Sequence, residues 1–169
     1  MNEFFAEKRK EIFACTILGR PQQRGSKVAM RTNKLDRRGR RRIILRDSNK
    51  LSTDWMKYAA EMARHAWGDR ELISEPVMLS AQFYFNRPMS HFGTGKNAAK
   101  LKPSAPRIHG QSPDLAKLLR CLEDALTGVV YVDDRLVCAY AEPTGRFWTL
   151  SDERVDIQLF EKDRETNRR

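Results

Sequence analysis

The sequence predicts a single α+β domain with a small mixed sheet and two main helices. Two amphipathic segments with a helical period lie among shorter apolar segments that alternate or are extended. They follow one another as strand, basic hairpin, helix, strand, long loop, helix, strand and strand, an order typical of the α+β class. A chain of 169 residues is long enough for one domain and too short for two. We expect this domain to cover residues 11–161, between an N-terminal extension, 1–10, and a flexible tail, 162–169.

The first half of the chain predicts a strand, a helix and a second strand. EIFACTIL, residues 11–18, alternates loosely, which favours a strand. Apolar residues recur every three or four positions over 48–67, with Ser52 as the candidate N-cap and Gly68 as the end of the helix. PVMLSAQFYF, residues 76–85, places alternate apolar side chains on one side of a strand.

The second half predicts another helix and two strands. The helix is expected over 113–126, because Ser112 is a favourable N-cap and Pro113 suits the first helical position. Its buried stripe is predicted to consist of Leu115, Leu118, Leu119, Leu122 and Leu126. Two strands, 136–141 and 154–160, are expected to follow, with EPTGRF as their connection.

The charge of the chain indicates a polyanionic partner. The formal net charge is +10 and the isoelectric point is near 9.9. No apolar run approaches the roughly 20 residues that span a bilayer, and the first residues, MNEFFAEKRKEIF, lack the apolar core of a secretory signal. We therefore expect nucleic acid as the partner, and no membrane.

The basic residues concentrate in two segments. The block RTNKLDRRGRRRIILRD predicts an exposed basic loop or hairpin, 33–46, because clustered arginines repel one another. The polar loop 86–112 is long for a small domain, and such loops are usually functional or mobile. Within it, Phe92 and His109 are candidates for stacking on unpaired bases, with packing under the loop as the alternative for Phe92.

The planar guanidinium group of arginine suits contacts with phosphates, so these basic segments are expected to bind DNA. The alternative is that they form only a solvated charged surface. The candidate DNA-binding residues are Arg24, Lys27, Arg37, Arg38, Arg40, Arg41, Arg42, Lys96, Lys100, Lys102 and Lys117.

The cysteines and histidines do not predict a metal site. Cys15, Cys121 and Cys138 are far apart and lack CxxC spacing, so we expect free thiols in a reducing cytoplasm. The three histidines lack ligand spacing, and His91 and His109 fall in the long polar loop.

Four acidic residues lie close together in the second half of this basic chain. Carboxylates near a phosphodiester-binding surface repel the ligand unless they hold a cation such as Mg²⁺ or Mn²⁺. Each also has a structural explanation: Asp114 suits the first turn of a helix, Asp133 and Asp134 suit a turn, and Asp124 is placed to pair with Arg120 or Lys117. Spacing alone leaves both explanations open.

The stretch PDLAKLLRCLEDALTGVVYVDDRLV resembles the signature of the RusA-type Holliday junction resolvases, whose pattern is close to P-D-x-D-N/K-L-x-K/R, then D-A-L and D-D-x-x-V. GRPQQRGSK, PVMLSAQFYF and VDIQL also fall where that family has its elements, so the resemblance covers about residues 12–160. It implies a homodimeric endonuclease, dependent on Mg²⁺ or Mn²⁺, that resolves four-way DNA junctions in recombination and repair. It also implies a phage or prophage origin and action in the bacterial cytoplasm.

The same resemblance assigns roles to single residues. Asp114 and Asp134 correspond to metal-binding aspartates, Arg120 to a catalytic lysine or arginine, and Asp133 and Asp124 to further acidic positions, of which Asp133 is an additional candidate ligand. Ala116 departs from the pattern, because the family has a catalytic, metal-binding aspartate there and a methyl group cannot coordinate a cation.

The alanine at position 116 predicts that cleavage is reduced or abolished in this sequence. Either an active enzyme has been changed deliberately at this position, or a natural homologue has lost or relocated its metal site. On an ideal helix, positions 114 and 116 lie about 200° apart, whereas 116, 120 and 123 share one stripe. A non-catalytic protein that binds branched DNA by shape and charge is the alternative function, and RNA as the substrate also stays open.

Overall fold

The computed structural model describes residues 10–161, without the side chains of Lys27 and of residues 45–47. The predicted tail 162–169 and all but the last residue of the predicted extension 1–10 lie outside the described residues. The predicted class is confirmed, since the described chain is one α+β domain with a mixed sheet and two main helices.

The main sheet has five strands. They are β1 (Glu11–Leu18), β4 (Val77–Asn86), β5 (Val137–Tyr140), β6 (Gly145–Thr149) and β7 (Arg154–Glu161). β7 lies between β1 and β4 and is antiparallel to both, while β5 and β6 pair in parallel with successive parts of β4. β4 is therefore the centre of the sheet, and its two ends lie beside different short strands.

Two helices cover one face of this sheet. They are α1 (Lys50–Trp67) and α2 (Leu115–Leu126), which pack against each other. The alternating side chains Val77, Leu79, Ala81, Phe83 and Phe85 of β4 are all buried, as their pattern predicts. On α2, Leu118, Leu119, Leu122 and Leu126 are buried and Leu115 is half-buried, so the predicted stripe forms the inner face of the helix.

Side chains other than the predicted ones cap both helices, so α1 has its cap before Ser52 and α2 begins at Leu115, later than predicted. Asn49, and not Ser52, caps α1: its side chain accepts from the Leu51 N–H at 3.1 Å, and Ser52 is buried in the first turn. Asp114, and not Ser112, caps α2. Asparagine and aspartate are as favourable as serine at this position, so the residue type alone does not fix the first turn.

One strand was not predicted. The connection EPTGRF runs into β6, a five-residue strand that pairs with the second half of β4 from Gln82 to Asn86. Its sequence, GRFWT, is short and begins with a glycine, which hides the strand pattern. The neighbouring predictions, 136–141 and 154–160, are confirmed within a residue or two as β5 and β7.

The basic segment forms a hairpin, one of the two forms predicted for it. Its strands are β2 (Lys27–Leu35) and β3 (Arg41–Asp47), which pair as a separate two-stranded sheet. The two strands and the turn that joins them, 36–40, are called here the ribbon. The Asp36 carboxylate accepts from the N–H groups of Arg38 and Arg40 at 2.8 and 2.9 Å. Gly39 has a φ of +72°, which suits glycine in such a tight turn.

The long loop 86–112 is folded onto β6. The ring of His109 is buried against Trp148, with centroids 4.0 Å apart, and the buried His91 contacts the same indole at 5.0 Å. Burial lowers the pKa of His109. The expectation that His109 stacks on unpaired bases is therefore wrong, because its ring already packs on a tryptophan. Phe92 is half-buried, in line with packing under the loop.

Cys15 and Cys138 carry free thiols, as predicted, and Cys121 is buried. No helix within residues 10–161 combines the length and apolar character needed to cross a membrane.

Candidate active site and nucleic-acid interface

Asp114 occupies the N-terminal end of α2 with an exposed side chain. Its Oδ1 accepts from the N–H groups of Ala116 and Lys117 at 2.9 and 3.4 Å. The Asp114 N–H donates to Oε1 of Gln23 at 2.6 Å. The carboxylate thus satisfies two of the free amides in the first turn and is held at a fixed position.

A residue of the main sheet holds the backbone just before Asp114 in place. Arg146, on β6, donates through Nη1 to the carbonyl oxygen of Pro113 at 2.6 Å and also to that of Gln111. Because β6 pairs with β4, this arginine connects the end of the long loop to the central strand. The unpredicted strand β6 therefore positions the start of α2.

Arg24 and Asp124 form an ion pair along α2. Nη2 and Nε of Arg24 lie 2.6 and 2.7 Å from Oδ2 of Asp124, and both side chains are about 30% exposed or less. The backbone N–H of Arg24 also donates to the Lys117 carbonyl at 3.1 Å. The partners predicted for Asp124, Arg120 or Lys117, are wrong, since Arg24 takes that place from 100 residues away.

Asp133 and Asp134 lie in the turn after α2. Asp133 caps the short 3-10 turn Asp134–Leu136, and its Oδ1 accepts from the Arg135 N–H at 3.0 Å. The carboxylate of Asp134 is exposed. This turn contacts α2, so Asp134 stands beside the helix.

Glu123, in the last turns of α2, was not among the predicted site residues. Tyr140 donates through its hydroxyl to Oε1 of Glu123 at 2.6 Å. Burial raises the pKa of Glu123, and the negative charges of Asp134 and Asp124 raise it further, whereas the Tyr140 hydrogen bond and the charge of Arg120 lower it. Asp134, Asp124 and Arg120 therefore act electrostatically on one half-buried carboxylate.

The predicted site residues are distributed along one helix. Asp134 acts electrostatically on Glu123 in the later part of α2, whereas Asp114 caps the start of the helix, nine residues before Glu123 and thus about 13 Å from Glu123 along the axis. Between these ends, Ala116 and Arg120 are exposed on the stripe that leads to Glu123. Glu123 could have been placed on this stripe from the sequence, because it follows Ala116 by seven residues, which equals about two helical turns.

The carboxylates supply the right chemistry for Mg²⁺, but the donor set is incomplete. Hard cations take carboxylate oxygens, and the side chain at Ala116 is a methyl group. Among the described side chains, no three of His, Cys, Asp or Glu are grouped so that they could hold a metal ion. The residues present therefore do not form a complete divalent-cation site.

The predicted basic residues fall on three surfaces. The five arginines Arg37, Arg38, Arg40, Arg41 and Arg42 are exposed on the ribbon, and Lys96, Lys100 and Lys102 are exposed on the long loop. Lys117 is half-buried on α2, and the side chain of Lys27 lies outside the described part. Arg24 is engaged by Asp124, so its guanidinium has a protein partner.

A basic α+β domain with an arginine-rich ribbon and exposed acidic residues at both ends of a helix has features typical of nucleic-acid-processing proteins. The family model described as "Endodeoxyribonuclease RusA" matches residues 25–159. The chain therefore belongs to the RusA endodeoxyribonuclease family, and membership implies an endonuclease that resolves Holliday junctions. Nucleases of this family are generally dependent on a divalent metal. No curated protein sequence matches the chain.

Proposed function

We propose that the protein is a homodimeric, structure-selective endodeoxyribonuclease that binds four-way DNA junctions and whose cleavage of them is reduced or abolished by the alanine at position 116. The observation that carries this proposal is the match to the RusA family over residues 25–159, which includes α2 and the turn after it. Action in the cytoplasm of a bacterium, with a phage or prophage origin, remains part of the proposal.

The residues of α2 and its flanks have distinct proposed roles. Asp114 and Asp134 are the proposed ligands of Mg²⁺ or Mn²⁺, with Asp133 as a further candidate, and this set lacks the carboxylate that the family has at position 116. Arg120, whose guanidinium is exposed on the same helix, stabilises negative charge on the phosphate. The ribbon and the lysines of the long loop bind the DNA backbone.

A homodimer accounts for the paired cuts that a four-way junction requires. A two-fold axis relates two identical active sites, so they face two strands of like polarity. Each protomer of 19.7 kDa carries a net charge of +10, which favours a polyanion lying across both protomers.

Ala116 is the residue that tests the catalytic proposal. Ala116→Asp restores a carboxylate on the exposed stripe beside Arg120, and we expect nicking of a synthetic four-way junction in Mg²⁺ to rise by at least about tenfold. Ala116→Asn is the matched control, because an amide has a similar size but no charge. Mn²⁺ should also raise the Tm of Ala116→Asp more than that of Ala116→Asn. No gain in cleavage with Ala116→Asp would count heavily against the nuclease assignment.

Binding of branched DNA without cleavage is the second candidate function. The capping bonds of the Asp114 carboxylate favour it, since they give this acid a structural reason to be there. This candidate is preferred if Mn²⁺ changes neither the Tm nor the DNA affinity of Ala116→Asp. Gel shifts of a four-way junction against linear duplex and RNA, at rising salt, decide the substrate class.

A further inference from the structure

The ribbon stands apart from the rest of the molecule in its pairing and its exposure. β2 and β3 hydrogen-bond to each other and form a sheet of their own. A two-stranded hairpin is marginally stable in water unless it packs against something. Most of its described side chains are nonetheless exposed, including several large apolar ones. These features call for a partner that covers the ribbon.

One face of the ribbon, called here the outer face, mixes arginine with exposed apolar side chains. Arg31 pairs across the strands with Ile43, and Leu35 pairs with Arg41. Ile43 and Arg41 are two residues apart on β3, so both pairs share one face. Leu35 is 60% exposed and Ile43 is 63% exposed. The opposite face is less open, with Val28 and Met30 at 48% and 46%.

Contact with phosphates accounts for the arginines but not for the apolar side chains between them. Base edges in the major groove present both kinds of target, because guanine offers two acceptors to an arginine fork and thymine offers a methyl group. The major groove of B-DNA also admits a two-stranded β-ribbon.

We propose that the ribbon enters the major groove of a junction arm with its outer face toward the base edges. In this arrangement Arg31 and Arg41 contact base acceptors, Leu35 and Ile43 contact thymine methyl groups, and the arginines of the turn contact phosphates. The inference rests on the proposed function for its partner, DNA, and adds the mode of contact.

A second copy of the ribbon is a poorer partner than DNA. The ribbon carries exposed arginines at 31, 37, 38, 40, 41 and 42, and Asp36 is the one carboxylate among its described side chains. Asp36 is occupied within the turn by two backbone N–H groups and by Arg40. Pairing two such ribbons would bring like charges together, whereas a groove lined by phosphates neutralises them.

Methylation of guanine N7, which lies in the major groove, tests the proposal directly. The full-length protein should protect guanines on the arms of a four-way junction from dimethyl sulfate. The double substitution Leu35→Ser with Ile43→Ser leaves the charge unchanged and should remove this protection. It should also weaken junction binding at least about fivefold. Leu150→Ser is the matched control, because Leu150 is 71% exposed but lies outside the ribbon; it should leave the footprint unchanged.

Three other results of these experiments would overturn either the groove contact or the proposed function. If the protein shifts the junction but protects no guanine N7, the groove proposal fails while junction binding stands. If the double substitution leaves the footprint unchanged but lowers the molecular mass of the protein measured by light scattering, the ribbon binds a second copy, and the proposal also fails. Protection on linear duplex without any preference for junctions would retain the ribbon contact and overturn the proposed function. Circular dichroism checks that the substituted proteins are folded.

Discussion

The side chain of Asp114 both caps α2 and is a candidate metal ligand, and two substitutions separate these roles. Asp114→Ala removes the acceptor for the Ala116 and Lys117 amides and should cost about 1 kcal/mol of unfolding free energy. Asp114→Asn keeps a capping oxygen and should change the stability little, yet it removes the carboxylate. Urea denaturation measures the first effect. Equal losses with asparagine and alanine would show that the carboxylate charge, and not the cap, stabilises the helix.

In the Ala116→Asp background, both Asp114 substitutions should abolish the restored cleavage, although only one of them destabilises the fold. Cleavage that survives Asp114→Asn would remove Asp114 from the proposed ligands. This comparison matters because the capping bonds alone explain why an aspartate stands at this position.

Glu123 should make the stability depend on pH. Burial raises its pKa above the usual 4.5, so the folded state favours the protonated form. The stabilising contribution is complete below the unfolded pKa and is lost as the pH rises through the folded pKa. Glu123→Gln, which keeps an acceptor for Tyr140, should therefore have a higher Tm than the parent at neutral pH and an equal one near pH 4. The exposed Glu61→Gln serves as the control, and a Tm difference that is constant with pH would contradict the prediction.

At the residue scale, the sequence predicted the exposed acids but not their partners. Asp134 and Asp114 could be selected because aspartate is conspicuous in a basic chain and because of the family resemblance. The ion pair of Arg24 with Asp124 joins residues 100 positions apart, which no local pattern encodes. Glu123 lay on the stripe of Ala116 and Arg120, but its hydrogen bond to Tyr140 depends on how β5 is placed beside α2.

At the scale of elements, the strongly periodic segments were predictable and the short ones were not. The alternation in β4 is compatible with only one buried face, and so is the leucine stripe of α2, so both were predicted. β6 was missed because its five residues are stabilised by pairing with β4, a non-local interaction. The missed strand carries Arg146, which leads to a prediction about the long loop.

Arg146→Ala should loosen the connection between β6 and the start of α2. The substitution removes the guanidinium bonds to the carbonyls of Pro113 and Gln111, and we expect a loss of about 2 kcal/mol in unfolding free energy. Limited proteolysis should also cut the loop 86–112 faster. Arg107→Ala removes an exposed arginine from the same loop and is the control for loss of charge. Similar proteolysis of the two substituted proteins would mean that Arg146 does not anchor the loop.

For the whole molecule, composition predicted the partner class more securely than the geometry of contact. A net charge of +10 indicates a polyanion whatever the fold. It does not reveal that the arginines lie along a ribbon, which depends on strand pairing, or that Arg24 is paired with Asp124, which lies 100 positions away in the chain. The proposed homodimer would likewise depend on contacts between two copies, which the pattern of one chain does not specify.

The salt dependence of DNA binding should report how many of these charges meet phosphate. Each phosphate contact contributes about −0.9 to the slope of log K against log salt concentration. Replacing Arg37 and Arg38 together by glutamine should therefore make the slope shallower by about 2. Lys57→Gln, on the exposed side of α1, should leave the slope unchanged. Fluorescence anisotropy of a labelled junction at several salt concentrations measures both slopes, and an unchanged slope in the double variant would place the turn of the ribbon away from the DNA backbone.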